Sequence, residues 1–274
     1  MKPFKCLLFW ATALLLSPIT NVYGSNTEPP LGVNKGLDTV YLPDNSVLNT
    51  QYLKPGLRQY LVYTTIPGVK RQHNMRLWQR RVSVAKRDNH KVFVTKQNWL
   101  SSDSARFEHF ISVNNYTDFL PLYHSQQSHR GVVAYNWYSD HIQAADSVTG
   151  NQKKGLILAF DQPNLNWNLD LETFEMLPMD QHKIFAINFY DAGIETPQRL
   201  VYKVTGEDSI SVYGSAAKVR CWKLFMEASY KGMKFTETFW ISQDSHELLM
   251  EKDDLGHGAF RYKIKLPDFA AATL

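Results

Sequence analysis

Histidines are the residues of this chain best suited to metal binding or acid–base chemistry, and there are nine of them. None stands in an HExxH motif or beside a CxxC pair, the spacings that place zinc ligands together. His124 and His129 flank residues 125–128, a predicted hairpin loop, and two histidines without a carboxylate fall short of the usual zinc ligand set. We therefore predict no metal site and interpret this pair as surface-loop residues.

Nucleophilic and acid–base catalysis have equally little support. Asp244-Ser245-His246 contains the residue types of a serine triad, but neighbours on a strand point to opposite faces, whereas triad members converge from distant positions. Gly214-Ser215-Ala216-Ala217 lacks the second glycine of a nucleophile elbow, and glycine-rich phosphate loops are missing. The acid pairs Glu207-Asp208 and Asp253-Asp254 stand in predicted turns. We predict a non-enzymatic protein with no catalytic residues and no cofactor.

Tryptophans on predicted strands are the remaining candidates for a binding role. Trp78, Trp137, Trp222 and Trp240 all stand in segments rich in apolar residues. Core packing accounts for most buried aromatic side chains, but an aromatic-lined cavity is also how many β proteins hold apolar ligands. We name these four tryptophans as candidate ligand-binding residues.

The segments that carry these residues are short runs rich in Val, Ile, Phe, Tyr, Trp and Thr, divided by turn residues. Residues 75–86 and 91–100 form the clearest hairpin, because Asp88 and Asn89 between them accept turn geometry readily. Helical signal is scarce. Its best instance has Asp170 as N-cap, runs over residues 171–177 and stops at Pro178. The pattern predicts a mainly β, antiparallel protein with one short helix.

Charged residues on two of these runs are interpreted as solvated strand faces. In the final run Phe260, Tyr262 and Ile264 alternate with cationic residues, so we expect the aromatic and aliphatic side to face the core and Arg261, Lys263 and Lys265 to face water. The cluster Arg76, Arg80 and Arg81 is read in the same way, with contact to an anionic lipid or lipopolysaccharide as the alternative. A sheet with one apolar face must cover that face with a helix, a second sheet or a ligand.

The first 24 residues predict the compartment. Lys2 and Lys5 precede an apolar run over residues 7–16, and Val22-Tyr23-Gly24 precedes a predicted cleavage point at Ser25. We predict a signal peptide over 1–24, an extended arm over 25–57, one β domain over 58–266 and a tail over 267–274. The expected location is the periplasm, with secretion as the alternative. No later segment is long and apolar enough to span a bilayer, so we expect no transmembrane segment in the mature chain.

The cysteine content and the net charge indicate how the domain is stabilised and which partners are excluded. Cleavage removes Cys6 and leaves Cys221 alone, so the domain must be stable without an internal disulfide, and Cys221 is expected to be a buried apolar residue. The formal net charge is +4, of which the leader lysines supply two, so the mature chain is close to +2. A nearly neutral exported chain is a poor partner for nucleic acid.

Several motifs resemble those of a known family. Leu120-Pro121-Leu122-Tyr123 after a strand, Asp161-Gln162-Pro163 before the helix, residues 204–208 leading into a strand and residues 239–244 near the end resemble the DUF3108 family of exported bacterial proteins. That family is similar to the LolA and LppX group of lipid and lipoprotein carriers. The resemblance implies a half-barrel, a single large curved antiparallel sheet whose concave face holds acyl chains beneath a short helical lid. It implies no catalytic residues.

Two functional hypotheses follow. The first is a periplasmic protein that binds or carries an apolar or lipid-like envelope molecule against its strand aromatics. The second is a structural or interaction protein that docks on an envelope protein or glycan through sheet edges and exposed aromatics, and a fully packed interior would favour it over a carrier. Hydrolysis of envelope material stays as a third alternative, which requires a histidine and a carboxylate or serine in one pocket.

Overall fold

The computed structural model describes residues 39–43, 47–103, 106–193, 196–230 and 233–268. The predicted signal peptide lies outside these ranges, as do much of the predicted arm and residues 269–274 of the tail, so those assignments stay predictions. The described residues form one short helix, α1 (Asp170–Glu175), and sixteen strands: β1 (Thr39–Leu42), β2 (Gly56–Thr65), β3 (His73–Arg87), β4 (His90–Ser101), β5 (Glu108–Asn115), β6 (Pro121–Ser128), β7 (Gly131–Trp137), β8 (His141–Ala144), β9 (Ile157–Ala159), β10 (Leu165–Asn166), β11 (Ile184–Tyr190), β12 (Gln198–Ile210), β13 (Val219–Tyr230), β14 (Met233–Ser242), β15 (Leu248–Asp254) and β16 (Phe260–Lys265).

All sixteen strands belong to one open sheet, which confirms the predicted mainly β class. The order is β1-β11-β12-β13-β14-β15-β16-β2-β3-β4-β5-β6-β7-β8-β9, and β10 pairs with β11 off this path. β11 pairs in parallel with β1 and β10, and the other pairings are antiparallel. β1 falls within the predicted arm, so that part of the arm is a strand of the sheet. No helix among the described residues is long and apolar enough to cross a membrane.

The predicted hairpin is present as β3 and β4, with a tighter turn than expected. Arg87 pairs with His90, so Asp88 and Asn89 alone make the turn. Their φ angles are 49° and 64°, the left-handed conformation that a two-residue hairpin turn requires and that Asp and Asn adopt more readily than most residues. The turn residues therefore fix the register of the longest hairpin in the sheet.

One face of the sheet wraps around α1, and we call it the inner face. Leu171 and Phe174 of α1 and Leu177 after it are at most 1% exposed, and Phe174 packs against Tyr202 and Phe239 of the inner face. A single apolar cluster joins these residues to inner-face side chains from both halves of the sheet, including Tyr60, Trp99 and Phe110. The helix begins at Asp170 itself, one residue earlier than an Asp170 N-cap would give, and it ends before Pro178 as expected. The opposite side of the sheet is the outer face.

For the final strand, the prediction of which face is buried was wrong. Lys263 is 2% exposed and faces inward, whereas Phe260, Tyr262 and Ile264 are only half-buried on the outer face. Alternation identifies the two faces of a strand but not which of them is inside. The inward choice is set by carboxylates on β15, which pair with these cations in the interior.

Candidate functional site

The four candidate tryptophans do not share one cavity. Trp78 and the half-buried Trp222 belong to the main apolar cluster on the inner face. Trp137 belongs to a second cluster with Tyr135, Ile142, Phe160 and Tyr190. Trp240 lies on the outer face and donates its indole N–H to Asp208 Oδ2 at 2.9 Å. The structure thus places two candidates in the same large cluster, on strands that are five apart in the sheet order, one in a separate cluster and one on the opposite side of the sheet.

Trp78 shows how fully the inner face is occupied by the protein's own groups. Its ring stacks on Trp99 with centroids 3.9 Å apart and an interplanar angle of 2°. The Lys263 ammonium lies 4.7 Å from the Trp78 ring centroid, within the range of a cation–π contact. Trp78 is only 7% exposed, and its ring is therefore packed against the protein's own side chains.

Buried ion pairs fasten α1 and the residues around it to the inner face. Arg80 is 1% exposed and donates Nε–H to Glu172 Oε1 at 3.0 Å, with a second contact to the other carboxylate oxygen. Its guanidinium also donates to the Asn168 carbonyl at 2.8 Å. Arg58 Nη2 lies 3.1 Å from Glu175 Oε2 as a second, less well aligned pair. These contacts correct the expectation that Arg80 is solvated. The alternation with Trp78 and Val82 is the signal that would have placed it inside.

A second cluster of charged side chains, on β15 and β16, lies beside these pairs. Lys263 pairs with Glu251, and Arg261 bridges Glu251 at 3.0 Å and Asp253. Burial raises the pKa of Asp253 and of Glu175, in the latter case to about 7 against the partial opposition of Arg58. Burial also opposes ionisation of Glu251, but Lys263 and Arg261 outweigh it and lower its pKa. The buried cations are therefore paired with carboxylates of the same chain and form one electrostatic network in the interior.

His124 likewise has a structural role. His124 lies in β6, 2% exposed, and so is not the loop residue that its spacing suggested. Asn166 Nδ2 donates to its Nδ1 at 3.0 Å, and Ser112 Oγ lies 2.9 Å from the same nitrogen. Burial lowers the pKa of His124 to about 4, which keeps the ring neutral. All three side chains are shielded from solvent, so the pair of serine and histidine is closed to a substrate.

The residue types of a triad at positions 244–246 also fail to converge. Asp244 lies 3.9 Å from Arg220, whereas the His246 ring stacks on Tyr52 with centroids 3.6 Å apart. Among the described residues no group of three or more histidine, cysteine, aspartate or glutamate side chains is placed to hold a metal ion. Cys221 is fully buried, as expected, and burial raises the pKa of its thiol to about 12.

Two small pockets among the described residues are open to solvent. One, of about 330 Å³, lies between the loop at residues 212–219 and the end of β16. The other, of about 200 Å³, lies on the outer face of β2 to β5. We call the second the polar pocket, and it is lined by Leu57, Gln79, Arg81, Lys96, Asn98 and His109.

An unbroken line of apolar side chains crosses the same outer face. In register across six neighbouring strands stand Trp240, Met250, Ile264, Leu61, Leu77 and Leu100, and we call this line the apolar row. Leu100 is 41% exposed and the other five are half-buried. With strands about 4.8 Å apart, the row is about 24 Å long. Sequence reasoning identified Trp240 alone, because the row exists only once distant strands are in register.

Comparison with known proteins places the sequence in a family without assigning an activity. No curated protein matches it, and no solved structure matches it. The profile of a family described as a protein of unknown function, DUF3108, matches residues 57–265. That match covers β2 to β16, which is most of the chain and all of the inner face described above. The chain therefore belongs to the DUF3108 family.

Proposed function

We propose that this protein is a non-enzymatic binding protein for a lipid-like component of the cell envelope, and that the apolar row is its contact surface. The observation that carries the proposal is the in-register line of six apolar side chains on the side of the sheet that α1 does not cover. Contiguous exposed apolar surface on a folded protein marks an interaction site. The proposed place of action is the periplasm, on the basis of the leader at residues 1–24.

The charges around the row favour a lipid surface as the occupant. Outward-facing cations on the same strands are Lys252 on β15, Arg81 on β3 and Lys96 on β4. Each lysine or arginine close to an anionic membrane surface contributes about 1 kcal/mol of attraction. The packed inner face, where Trp78 and Trp99 already stack on one another, favours binding on the outer face over carriage inside the sheet.

The apolar contribution can be estimated from Leu100. Complete burial of a leucine side chain is worth about 1.5–3 kcal/mol, and Leu100 is 41% exposed, so its burial against lipid contributes about 1 kcal/mol. That energy corresponds to about a fivefold change in affinity. Substitution by aspartate adds the cost of placing a carboxylate at the lipid boundary.

The test is co-sedimentation of the purified protein with mixed vesicles of phosphatidylcholine and phosphatidylglycerol. We expect the wild type to bind and Leu100→Asp to bind at least fivefold more weakly. Val201→Asp is the matched control, because Val201 is 44% exposed on the outer face of β12, away from the row. Equal binding by the two variants, or failure of the wild type to bind, would overturn the proposal. Thermal unfolding of both variants verifies that each is folded.

A second candidate, docking on an envelope protein or glycan, is favoured by one edge of the sheet. β9 is the terminal strand of the order, and its Ile157 is 71% exposed. An edge strand with a free row of backbone groups accepts another strand. Site-specific photo-crosslinking from position 157 in intact cells tests this candidate. A discrete adduct at position 157 supports docking at the β9 edge. Crosslinks at position 77, with none at position 157, support the outer face as the binding surface instead.

A further inference from the structure

The polar pocket lies on the same strands and the same face as the apolar row. Gln79 of β3, Asn98 of β4 and His109 of β5 are in register with one another, two residues along the strands from Leu77 and Leu100. Arg81 and Lys96 are in register two residues further on. On β3 and β4 the outer face therefore changes along the strand direction from apolar to amide to cationic side chains.

Arg81 and Lys96 are an unusual pair because they stand directly opposite one another on neighbouring strands. Both are exposed, and in the described part of the chain neither forms an ion pair. Like charges directly opposite one another destabilise a sheet, since their Cβ atoms are only about 5 Å apart. An anion between the two head groups would reverse the sign of that interaction.

Two amide side chains, Asn98 and Gln79, contribute to the lining. His109 Nδ1 lies 2.7 Å from Asn98 Oδ1, so the ring donates to the amide oxygen and leaves the Asn98 NH2 group directed elsewhere. Gln79 supplies a second amide beside it. The volume of about 200 Å³ equals that of roughly six or seven waters at about 30 Å³ each. This is room for a phosphate group and its first substituent, but not for an acyl chain.

We infer that the polar pocket binds the phosphate of an anionic phospholipid headgroup while the apolar row contacts the acyl region of the same surface. The inference rests on the proposed function and names its lipid class. Four residues separate Leu77 from Arg81 along β3, which is about 14 Å at about 3.4 Å per residue. The headgroup layer is about 5–8 Å thick in each leaflet. Strands inclined to the membrane therefore hold the row in hydrocarbon with the pocket among the phosphates.

The experiment compares vesicles of phosphatidylcholine alone with vesicles that also contain phosphatidylglycerol, at constant ionic strength. We expect the wild type to prefer the anionic vesicles. We expect the double variant Arg81→Gln/Lys96→Gln to lose roughly thirtyfold in affinity for them. Its loss on phosphatidylcholine should be smaller, because the choline cation offsets the charge of that headgroup's phosphate. Both positions are exposed, so the variant should keep the thermal stability of the wild type.

The matched control is Lys70→Gln/Arg71→Gln, which removes the same two charge types from the exposed loop between β2 and β3. An equal loss in the control would show general electrostatic attraction and overturn the pocket assignment. Equal wild-type binding to both vesicle types, with the Leu100→Asp effect retained, would overturn the inference and leave the proposed function standing. Failure of the wild type to bind either vesicle would overturn both. An arm with inorganic phosphate at constant ionic strength separates the sources: binding of free phosphate to the protein as tight as its binding to the anionic vesicles would assign the pocket to free phosphate and overturn the headgroup assignment.

Discussion

Replacing Glu172 with glutamine leaves Arg80 as a buried cation without its principal counter-ion. Both side chains are only 1–2% exposed, and glutamine keeps the size of glutamate and a carbonyl acceptor for the guanidinium. The variant therefore isolates the charge of the pair. Removal of one partner from a buried pair costs about 3–5 kcal/mol, because the remaining charge keeps its desolvation penalty. Asp170 at 4.0 Å offers Arg80 a more distant anion, which places the expected loss at the lower end, about 3 kcal/mol.

The assay is urea unfolding at pH 7 followed by tryptophan fluorescence, together with thermal unfolding. A loss of about 3 kcal/mol in a domain of this size lowers the melting temperature by about 6–12 °C. Glu227→Gln is the matched control, because its partner Lys234 lies 3.7 Å away and both side chains are more than half exposed. An exposed pair of that kind contributes at most about 1 kcal/mol.

A second variant tests the same reasoning from the other side. Arg80→Met/Glu172→Leu removes both charges and replaces them with apolar groups of similar length. Because neither charge is then left buried alone, we expect this double variant to be more stable than Glu172→Gln. Equal losses for Glu172→Gln and Glu227→Gln would refute the view that the Arg80 pair is desolvated and fastens α1 to the sheet.

The remaining predictions concern other buried groups. Glu175 has a folded-state pKa of about 7 against an ordinary value of 4.5, so the native state holds a proton that the unfolded state releases, and stability falls as the pH rises from about 4.5 to about 7. Glu175→Gln removes this term, so between pH 5 and pH 8 the wild type should lose roughly 2.5 kcal/mol more than the variant in urea unfolding; parallel profiles would contradict the assignment. Trp78→Ala should cost about 3–5 kcal/mol through loss of the stack on Trp99, whereas Trp240→Ala, on the outer face, should cost clearly less in the same assay. In a Cys6→Ser background Cys221 should be unreactive toward a thiol reagent at pH 8 until urea unfolds the chain, because its thiol pKa is about 12; immediate labelling of the native protein would refute its burial.

The fold class was predictable from the sequence because it depends on local signals. Alternation and turn residues mark strands one at a time, and Asp88-Asn89 identifies its hairpin without reference to the rest of the chain. The stop at Pro178 likewise bounds the helix locally. These signals do not say which strands become neighbours, so the order that places β16 between β15 and β2 had to come from the structure.

The functional surfaces were less predictable because they depend on register between distant strands. Lys263 could be assigned to the inside only with knowledge of Glu251 beside it, and His124 only with knowledge that Asn166 approaches its ring. The apolar row has the same origin: Leu61 and Leu77 are unremarkable in sequence and become a surface only when β16 and β4 extend the line. The sequence of a single strand shows which residues share a face, but the neighbouring strands decide which of the two faces is buried.

The position of β16 also has a consequence for how the chain reaches its native state. In the described part of the chain, strand pairing between β2–β9 and β11–β15 runs through β16 alone, and it joins positions as distant as Tyr60 and Lys265. The two halves can each form locally, but strand pairing joins them only when β16 is in place. Contacts so far apart in sequence form slowly, and meanwhile β2 and β15 are open edges that invite aggregation. Joining of the two halves therefore waits for β16, and a chain in which β2 and β15 are still unpaired is a natural client for a holding chaperone.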